Sequence, residues 1–397
     1  MHSSFGQLPA PHTRCYHGGA FFQAVGDDFA TLERSRTVIN ADVLDAWFPP
    51  SPVAVAAVRR HLPWLLRTSP PTGCEGLTRA IAGARRVDPL HVLPAGGSST
   101  LIFLALRQWL TRRSRVLVLD PTYGEYAHVF HNVVGCRVER LPLARENGYA
   151  VDPDRLLSAL RRQHDLVVIV NPNNPTGAHM AREVLEDLLT RVPARTKVWV
   201  DEAYVDYVGP NQSLERFATR TDNVVVCKSM SKVYALSGAR VAYLCGAARL
   251  IAELRPLLPP WAVSLPGQVA AVAALRDPMY YARRYRETHR LRERLAEMLR
   301  DAGAGDVLPS VANWILCHLA PDGPTAADVV RRCQQQGVFL RDVGPTGSRL
   351  GAHALRVAVK DEPTNARIAE VVAWALGGGA GWARGAPENG SGGQRSA

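Results

Sequence analysis

Short apolar runs recur through the middle of this 397-residue chain, and each stops at a polar residue or a proline. Arg115–Asp120 (RVLVLD) is followed by Pro-Thr and 165–170 (DLVVIV) by Asn-Pro, and 197–200, 223–227 and 240–245 repeat the pattern. A strand that is apolar at successive positions, not at alternate ones, has both of its faces covered. Strands of this kind about 20–30 residues apart, with helix-period stretches such as 101–110 between them, predict a mainly parallel sheet with helices on both faces. In such a sheet the ligand site lies beyond the carboxyl ends of the strands. The residues with chemistry to offer gather there, at 171–177, 201–204 and 229–232.

The flanks read differently. Segments 91–94 and 136–143 add strands to the same sheet, whereas the charged stretch 280–303 predicts one long connecting helix with a single apolar stripe. Beyond it, 312–319, 338–340 and 355–359 predict strands of a smaller, separate domain. The expected organisation is an N-terminal arm (1–50) joining the small domain, a large domain (51–275), the small domain itself (276–376) and a tail (377–397) whose Gly/Ser/Pro-rich composition reads as disordered.

Composition excludes several function classes. The formal charge is +11, yet only four of the 47 basic residues are lysines (197, 228, 232 and 360), and the arginines are spread along the chain. Nucleic-acid binding calls for a clustered basic face and a recognisable motif, so an anionic small molecule is the better use of local arginines. No apolar run reaches the roughly 18–20 residues of a membrane span, and 1–14 lacks the apolar core of a signal peptide. Seven cysteines without a CxxC pair argue against a disulfide framework or a zinc site, and for a reducing cytoplasm.

Lys232 closes Ser229-Met230-Ser231-Lys232 at a strand end, with Arg240 eight residues on. A lysine so placed can form a Schiff base with an aldehyde cofactor, and serines with a nearby arginine suit a phosphate dianion. A solvated loop lysine is the plainer alternative. Asp201 ends KVWVD, where a carboxylate either keeps a pyridine nitrogen protonated, making the ring an electron sink, or caps a helix. Tyr204 is within reach of a phenolic oxygen on such a ring. The prolines and asparagines of 171–177 (NPNNPTG) fix a turn that presents side-chain amides. Gly97, Ser98 and Ser99 open a helix whose N–H groups either face an anion or simply cap the helix. Tyr123 offers a face on which a flat ring stacks, or it packs in the core.

Together and in this order, NPNNPTG, DEAY and Ser-x-Ser-Lys with its arginine resemble the pyridoxal-phosphate enzymes of fold type I, the class I/II aminotransferases. Within them the chain is most similar to the branch of histidinol-phosphate aminotransferases and threonine-phosphate decarboxylases. The resemblance spans 17–375. It implies an α/β fold with a mainly parallel seven-stranded sheet in the large domain and a smaller α+β domain, pyridoxal 5'-phosphate as cofactor, and a homodimer. By the resemblance, Lys232 carries the cofactor as an imine and shuttles the proton, and Asp201 partners the pyridine nitrogen. Asn174 and Tyr204 bond the phenolate and Tyr123 stacks on the ring. Gly97, Ser98, Ser99, Ser229, Ser231 and Arg240 match the phosphate cup. Arg356 clamps the substrate α-carboxylate and so sets which Cα bond stands perpendicular to the ring.

The match departs from the family in the segments that bear on substrate. Ser69 stands where the family places a tyrosine donated across the dimer. His17, in His17-Gly18-Gly19, resembles the decarboxylase histidine that faces a substrate phosphate, and Arg341 matches an arginine that meets a substrate anion. Asn40 lies in the stretch 38–50 that occupies the substrate-gating position, which also carries Asp42, Asp45 and Trp47. These either line the site, favouring a cationic or polar substrate, or cap and pack a short helix. The expected activity is amino transfer from an amino acid to a 2-oxo acid. The alternative keeps the cofactor and decarboxylates, or eliminates and cyclises, a polar or phosphorylated amino acid. A cofactor-binding transcription regulator lacks room for a DNA-binding module before Gly97. A nucleotide-dependent oxidoreductase lacks GxGxxG.

Overall fold

The computed structural model describes residues 17–377. The readings made of 1–14, of Cys15 and of the tail beyond Gly377 lie outside the described residues. The arm contributes β1 (Ile39–Asn40). Seven strands then follow: β2 (Val92–Ala95), β3 (Arg115–Asp120), β4 (Arg137–Pro142), β5 (Leu166–Val170), β6 (Lys197–Asp201), β7 (Val224–Ser229) and β8 (Ala242–Gly246). They form one sheet in the order β2-β8-β7-β6-β5-β3-β4. Pairs from β4 to β7 are parallel, and only β8 runs antiparallel to its neighbours. The mainly parallel seven-stranded sheet is the one expected.

The apolar runs do what their composition demands. Leu117, Leu119, Val167, Ile169, Val198 and Val200 pack on one face with Leu156, Leu185 and Leu188. Val116, Val118, Leu166, Val168 and Trp199 pack on the other with Leu101, Ile102 and Ala105 of the helix Ser98–Trp109. Alternate side chains therefore leave for opposite layers, and neither face meets water.

The long helix runs Pro278–Asp301, started by Pro278 and by Asp277, whose side chain accepts from Tyr280 N–H. After it come β9 (Asp306–Val307), β10 (Trp314–His318), β11 (Val338–Phe339), β12 (Arg341–Asp342) and β13 (Ala354–Ala358). Four of these form an antiparallel sheet, β12-β13-β10-β9, while β11 pairs in parallel with β1. That pairing, continued by Ala41 N–H to Phe339 O (2.8 Å) and Ala358 N–H to Ala41 O (3.0 Å), carries segment 41–45 over the carboxyl edge of the large sheet. The two-residue strands β1, β9 and β12 were not expected, because two residues show no periodicity.

Candidate active site

The carboxyl ends of β5, β6 and β7 open into one cavity that holds about 860 Å³ including its open mouth. His17, Ser98, Tyr123, Asn174, Asp201, Tyr204, Ser229, Lys232, Arg341 and Arg356 line it, with Asp42 beside them. Eleven of the residues singled out in the sequence thus meet in one place.

Asp201 is the floor. Its Oδ2 accepts from Tyr126 O–H (2.7 Å), which in turn accepts from Trp199 Nε1 (2.7 Å), and its Oδ1 accepts from Ala203 N–H (3.0 Å). The capping alternative is not realised: the bond from Ala203 N–H closes a turn, and the helix Val205–Val208 starts at Tyr204 without a side-chain cap. Burial pushes the carboxyl up to about 6, and the bonds from Tyr126 and Ala203 only partly oppose it.

Lys232 stands in the short helix Met230–Val233, which begins as β7 ends and is started by Ser229 Oγ accepting Ser231 N–H (3.3 Å). Its Nζ donates to Asp45 Oδ1 (2.9 Å), which also accepts from Ser237 O–H (2.6 Å). Burial lowers the Lys232 ammonium; Arg240 and Arg356 add to that and Asp45 opposes it. Arg240 reaches back across the helix start at Gly97. A Cβ on Gly97, at φ +104°, would stand 2.5 Å from Arg240 Nη2. Arg240 Nη1 lies 3.4 Å from Ser231 Oγ. Ser99 turns instead to Glu125, its O–H donating to Oε2 (3.0 Å).

Of the asparagines in 171–177, Asn171 and Asn173 hold the turn, bonding to Met180 O (2.9 Å) and Pro121 O (3.0 Å). Asn174 is left for the cavity. Its Oδ1 accepts from Arg356 Nη1 (2.7 Å), so its NH2 remains a donor. Arg356 Nη2 donates to Asp42 O (2.8 Å), while its Nε is buried without a partner. Tyr204 lies edge-on to Trp314 at 4.6 Å, and Trp314 Nε1 donates to Pro175 O (2.8 Å), tying β10 to the asparagine turn.

The substrate-side residues divide. Asp42 lines the cavity, Asp45 stands behind Lys232 Nζ, which lines it, and Trp47 donates to Thr288 Oγ1 (2.8 Å) and packs beneath Arg284. Asn40 is outside the lining; its Oδ1 accepts Val43 N–H (3.0 Å) and shapes the turn that aims the two acids. The Arg341 side chain is 12% exposed and lies 3.4 Å from Asp42, and its charge also acts on Asp342. His17 Nε2 lies 3.3 Å from Glu125 Oε2. Ser69 is exposed in the loop after the helix Pro52–Arg67.

Two residues of the site were missed. Glu125 is fully buried and gathers Tyr123 O–H (2.7 Å), Ser99 and His17, which hold its carboxyl below the usual range against the effect of burial. Tyr126 holds Asp201. Both lie in the PTYGEY run after β3, where an acid and a second aromatic within three residues of Tyr123 were the available signal. Among the described residues no His/Cys/Asp/Glu group is arranged to hold a metal, and no helix is long and apolar enough to cross a membrane.

Comparison with known proteins agrees with this geometry. The chain is 30% identical over 344 residues to histidinol-phosphate aminotransferase of Rhodopseudomonas palustris (strain BisB18), covering 86% of this chain and 92% of that one. It is 31% identical to the Staphylococcus haemolyticus protein of that name over 270 residues, 68% of this chain and 75% of that one. The Sinorhizobium meliloti histidinol-phosphate aminotransferase, solved in complex with pyridoxal-5'-phosphate, shares the fold at TM-score 0.76 and 22% identity, covering 91% of this chain and 96% of that one. The L-threonine-O-3-phosphate decarboxylase of Porphyromonas gingivalis shares it at TM-score 0.72 and 20% identity, covering 84% of this chain and 98% of that one. A family model, aminotransferase class I and II, matches residues 46–372. This chain belongs to the family of class I and II aminotransferases.

Proposed function

We propose that the cavity holds pyridoxal phosphate and that the enzyme moves the amino group of an amino acid to a 2-oxo acid. One observation carries the reading: Lys232, the buried acid Asp201 and the buried guanidinium of Arg356 converge on one cavity. The donor set fits the cofactor. Ser98, Ser229 and Ser231, with Arg240 and the N–H groups after Gly97, suit a phosphate dianion. Asp201 suits a protonated ring nitrogen, Tyr123 a ring face, and the Asn174 amide with the Tyr204 hydroxyl a phenolate. The orphaned Nε of Arg356 suits a substrate carboxylate.

When bound, pyridoxal phosphate supplies an aldehyde for primary amines and a ring that takes up the electron pair left at Cα. Lys232 Nζ anchors the cofactor and, once free, takes the Cα proton and returns it. Arg356 holds the α-carboxylate and so sets which Cα bond faces the ring. Arg240 and the serines fix the phosphate end, so that these distances stay constant through turnover.

The same reading makes the protein a cytoplasmic homodimer with an arm at 1–50, a large domain at 51–275 and a small one at 276–376. Support comes from six described cysteines that are all free and buried. It also comes from Val53, Val55, Leu62, Trp64 and Leu66, which leave apolar surface exposed on the helix Pro52–Arg67. Purified protein given pyridoxal phosphate should absorb in the violet and convert an amino acid to its 2-oxo acid, with the nitrogen left on the cofactor. Carbon dioxide release, or a product that keeps its nitrogen, would replace amino transfer with the lyase alternative. A colourless protein indifferent to the cofactor would sink both.

A further inference from the structure

We propose that this pocket selects an amino acid whose side chain carries an amine or a guanidine, with Asp45 as the residue that meets that charge; the proposal rests on the aminotransferase reading and deepens it. The cations facing the substrate side are already matched by acids. Arg341 Nη1 lies 3.4 Å from Asp42 Oδ1, and Asp42 Oδ2 accepts Gly19 N–H (2.9 Å). Gly18 is what lets Asp42 sit there, because a Cβ at that position would stand 2.5 Å from Asp42 Oδ2. His17 is matched by Glu125 at 3.3 Å. An acidic or phosphorylated side chain would therefore meet the carboxylate of Asp42 and cations that are already paired, an arrangement that rejects anions. Arg356 keeps open donors, its buried Nε among them, and the α-carboxylate accounts for them.

Asp45 is the opposite case. Its Oδ1 is shared by Lys232 Nζ and Ser237 Oγ. With Nζ committed to a cofactor carbonyl, Asp45 keeps the neutral hydroxyl of Ser237. Lys360 acts on it through space, without a hydrogen bond to it, and burial holds that ammonium down to about 8. The carboxylate is held in place before any ligand arrives: Asn313 Nδ2 donates to Leu44 O (3.0 Å), and Ala358 N–H to Ala41 O (3.0 Å), pinning the segment on both sides. A side-chain ammonium or guanidinium that reaches past Lys232 Nζ, which lines the cavity, completes a charge-assisted pair with Asp45, whose side chain is 35% exposed. The substrate class named by the curated relatives, a phosphorylated one, is the class this charge arrangement disfavours.

The test uses the full-length protein loaded with pyridoxal phosphate. The visible band and the heat of binding are followed while L-arginine, L-lysine, L-alanine or O-phospho-L-serine is added. Arginine or lysine should bind roughly 10- to 100-fold more tightly than alanine, and more tightly than O-phospho-L-serine. Asp45→Asn should erase most of the advantage over alanine. Asp42→Asn, which releases Arg341, should improve binding of O-phospho-L-serine several-fold. A loaded protein that prefers O-phospho-L-serine, or an Asp45→Asn protein that keeps the wild-type ranking, overturns the proposal and leaves the aminotransferase reading standing. Should Asp45→Asn fail to fold, the wild-type ranking decides by itself. A protein that takes up no cofactor overturns both.

Discussion

Lys228 and Lys232, four residues apart, meet opposite surroundings. Lys228 is buried in β7, with Nζ 2.7 Å from Asp206 and 3.7 Å from Glu202, while Arg85 shares Asp206 at 3.3 Å. Lys232 keeps 20% of its side chain exposed and pairs with Asp45. Burial works against both ammonium groups. At Lys228 it is outweighed by Asp206 and Glu215, and the pKa rises; at Lys232 it is not outweighed, and the pKa falls. The acids mirror this. Against burial, Lys228 and Arg85 hold Asp206 down to about 2, whereas burial carries Asp201, bonded by a tyrosine and a backbone N–H, up to about 6. The number of opposite charges within reach, more than residue type or depth, separates a clamped ammonium from one able to shed its proton and attack a carbonyl.

The contrast is broken most directly at the lysines. Lys232→Ala should lower turnover on the order of 10³-fold or more. Borohydride reduction of cofactor-loaded protein should place the adduct on Lys232, and mass spectrometry finding it on Lys228 would erase the distinction. Stability should respond in the reverse order. Lys228→Met strands buried carboxylates and should cost about 3–5 kcal/mol, read from urea unfolding, whereas Lys232→Met, at a part-exposed pair, should cost under about 1 kcal/mol.

A pH series sharpens the acid half. Asp201 has a folded pKa above its ordinary 3.8, so the native state holds a proton the unfolded chain has lost. Its contribution is complete below about pH 4 and is lost as pH rises to about 6. Asp206 is depressed, so its contribution is complete above about pH 4 and is lost as pH falls toward 2. Urea midpoints of cofactor-free protein should therefore lose a slope worth roughly 2–3 kcal/mol between pH 4 and 6 in Asp201→Asn, and should lose only the steeper acid limb in Asp206→Asn. A slope unchanged by Asp201→Asn would remove the acid half of the contrast. A smaller effect than that slope is expected at Tyr126→Phe, which strands the Trp199 N–H and frees one Asp201 oxygen. It should cost about 1–2 kcal/mol and raise the Asp201 pKa further, read from the same midpoints.

Much of the scaffold was legible in the sequence because the apolar runs of β3, β5, β6 and β7 signal covered strands by composition alone. The two-residue strands were not, although β1 decides where Asp42 and Asp45 go. Within the site, residues at strand ends were found because turn chemistry and strand ends are local. Pairings were not found. Arg341 read equally well as a partner of its neighbour Asp342, and only the β1–β11 pairing brings Asp42 within 3.4 Å of it. Trp47, next in line after two site acids, turns to Thr288 because its indole N–H needs a buried acceptor. Glu125 escaped notice because a single acid in a helix start has no signature beyond capping.

By itself the sequence determined the order of strands and helices, the covered sheet, and the presence of a lysine, an aspartate, an asparagine and a glycine turn at strand ends. Each of these follows from side-chain periodicity or backbone sterics within a few residues. Only the tertiary structure decided which acid faces which base: Asp45 meets Lys232 from 187 residues away, and Asn174 meets Arg356 from 182. Proton affinity depends on burial and on charges a few ångströms off through space, and those distances are properties of the packed chain, not of its order.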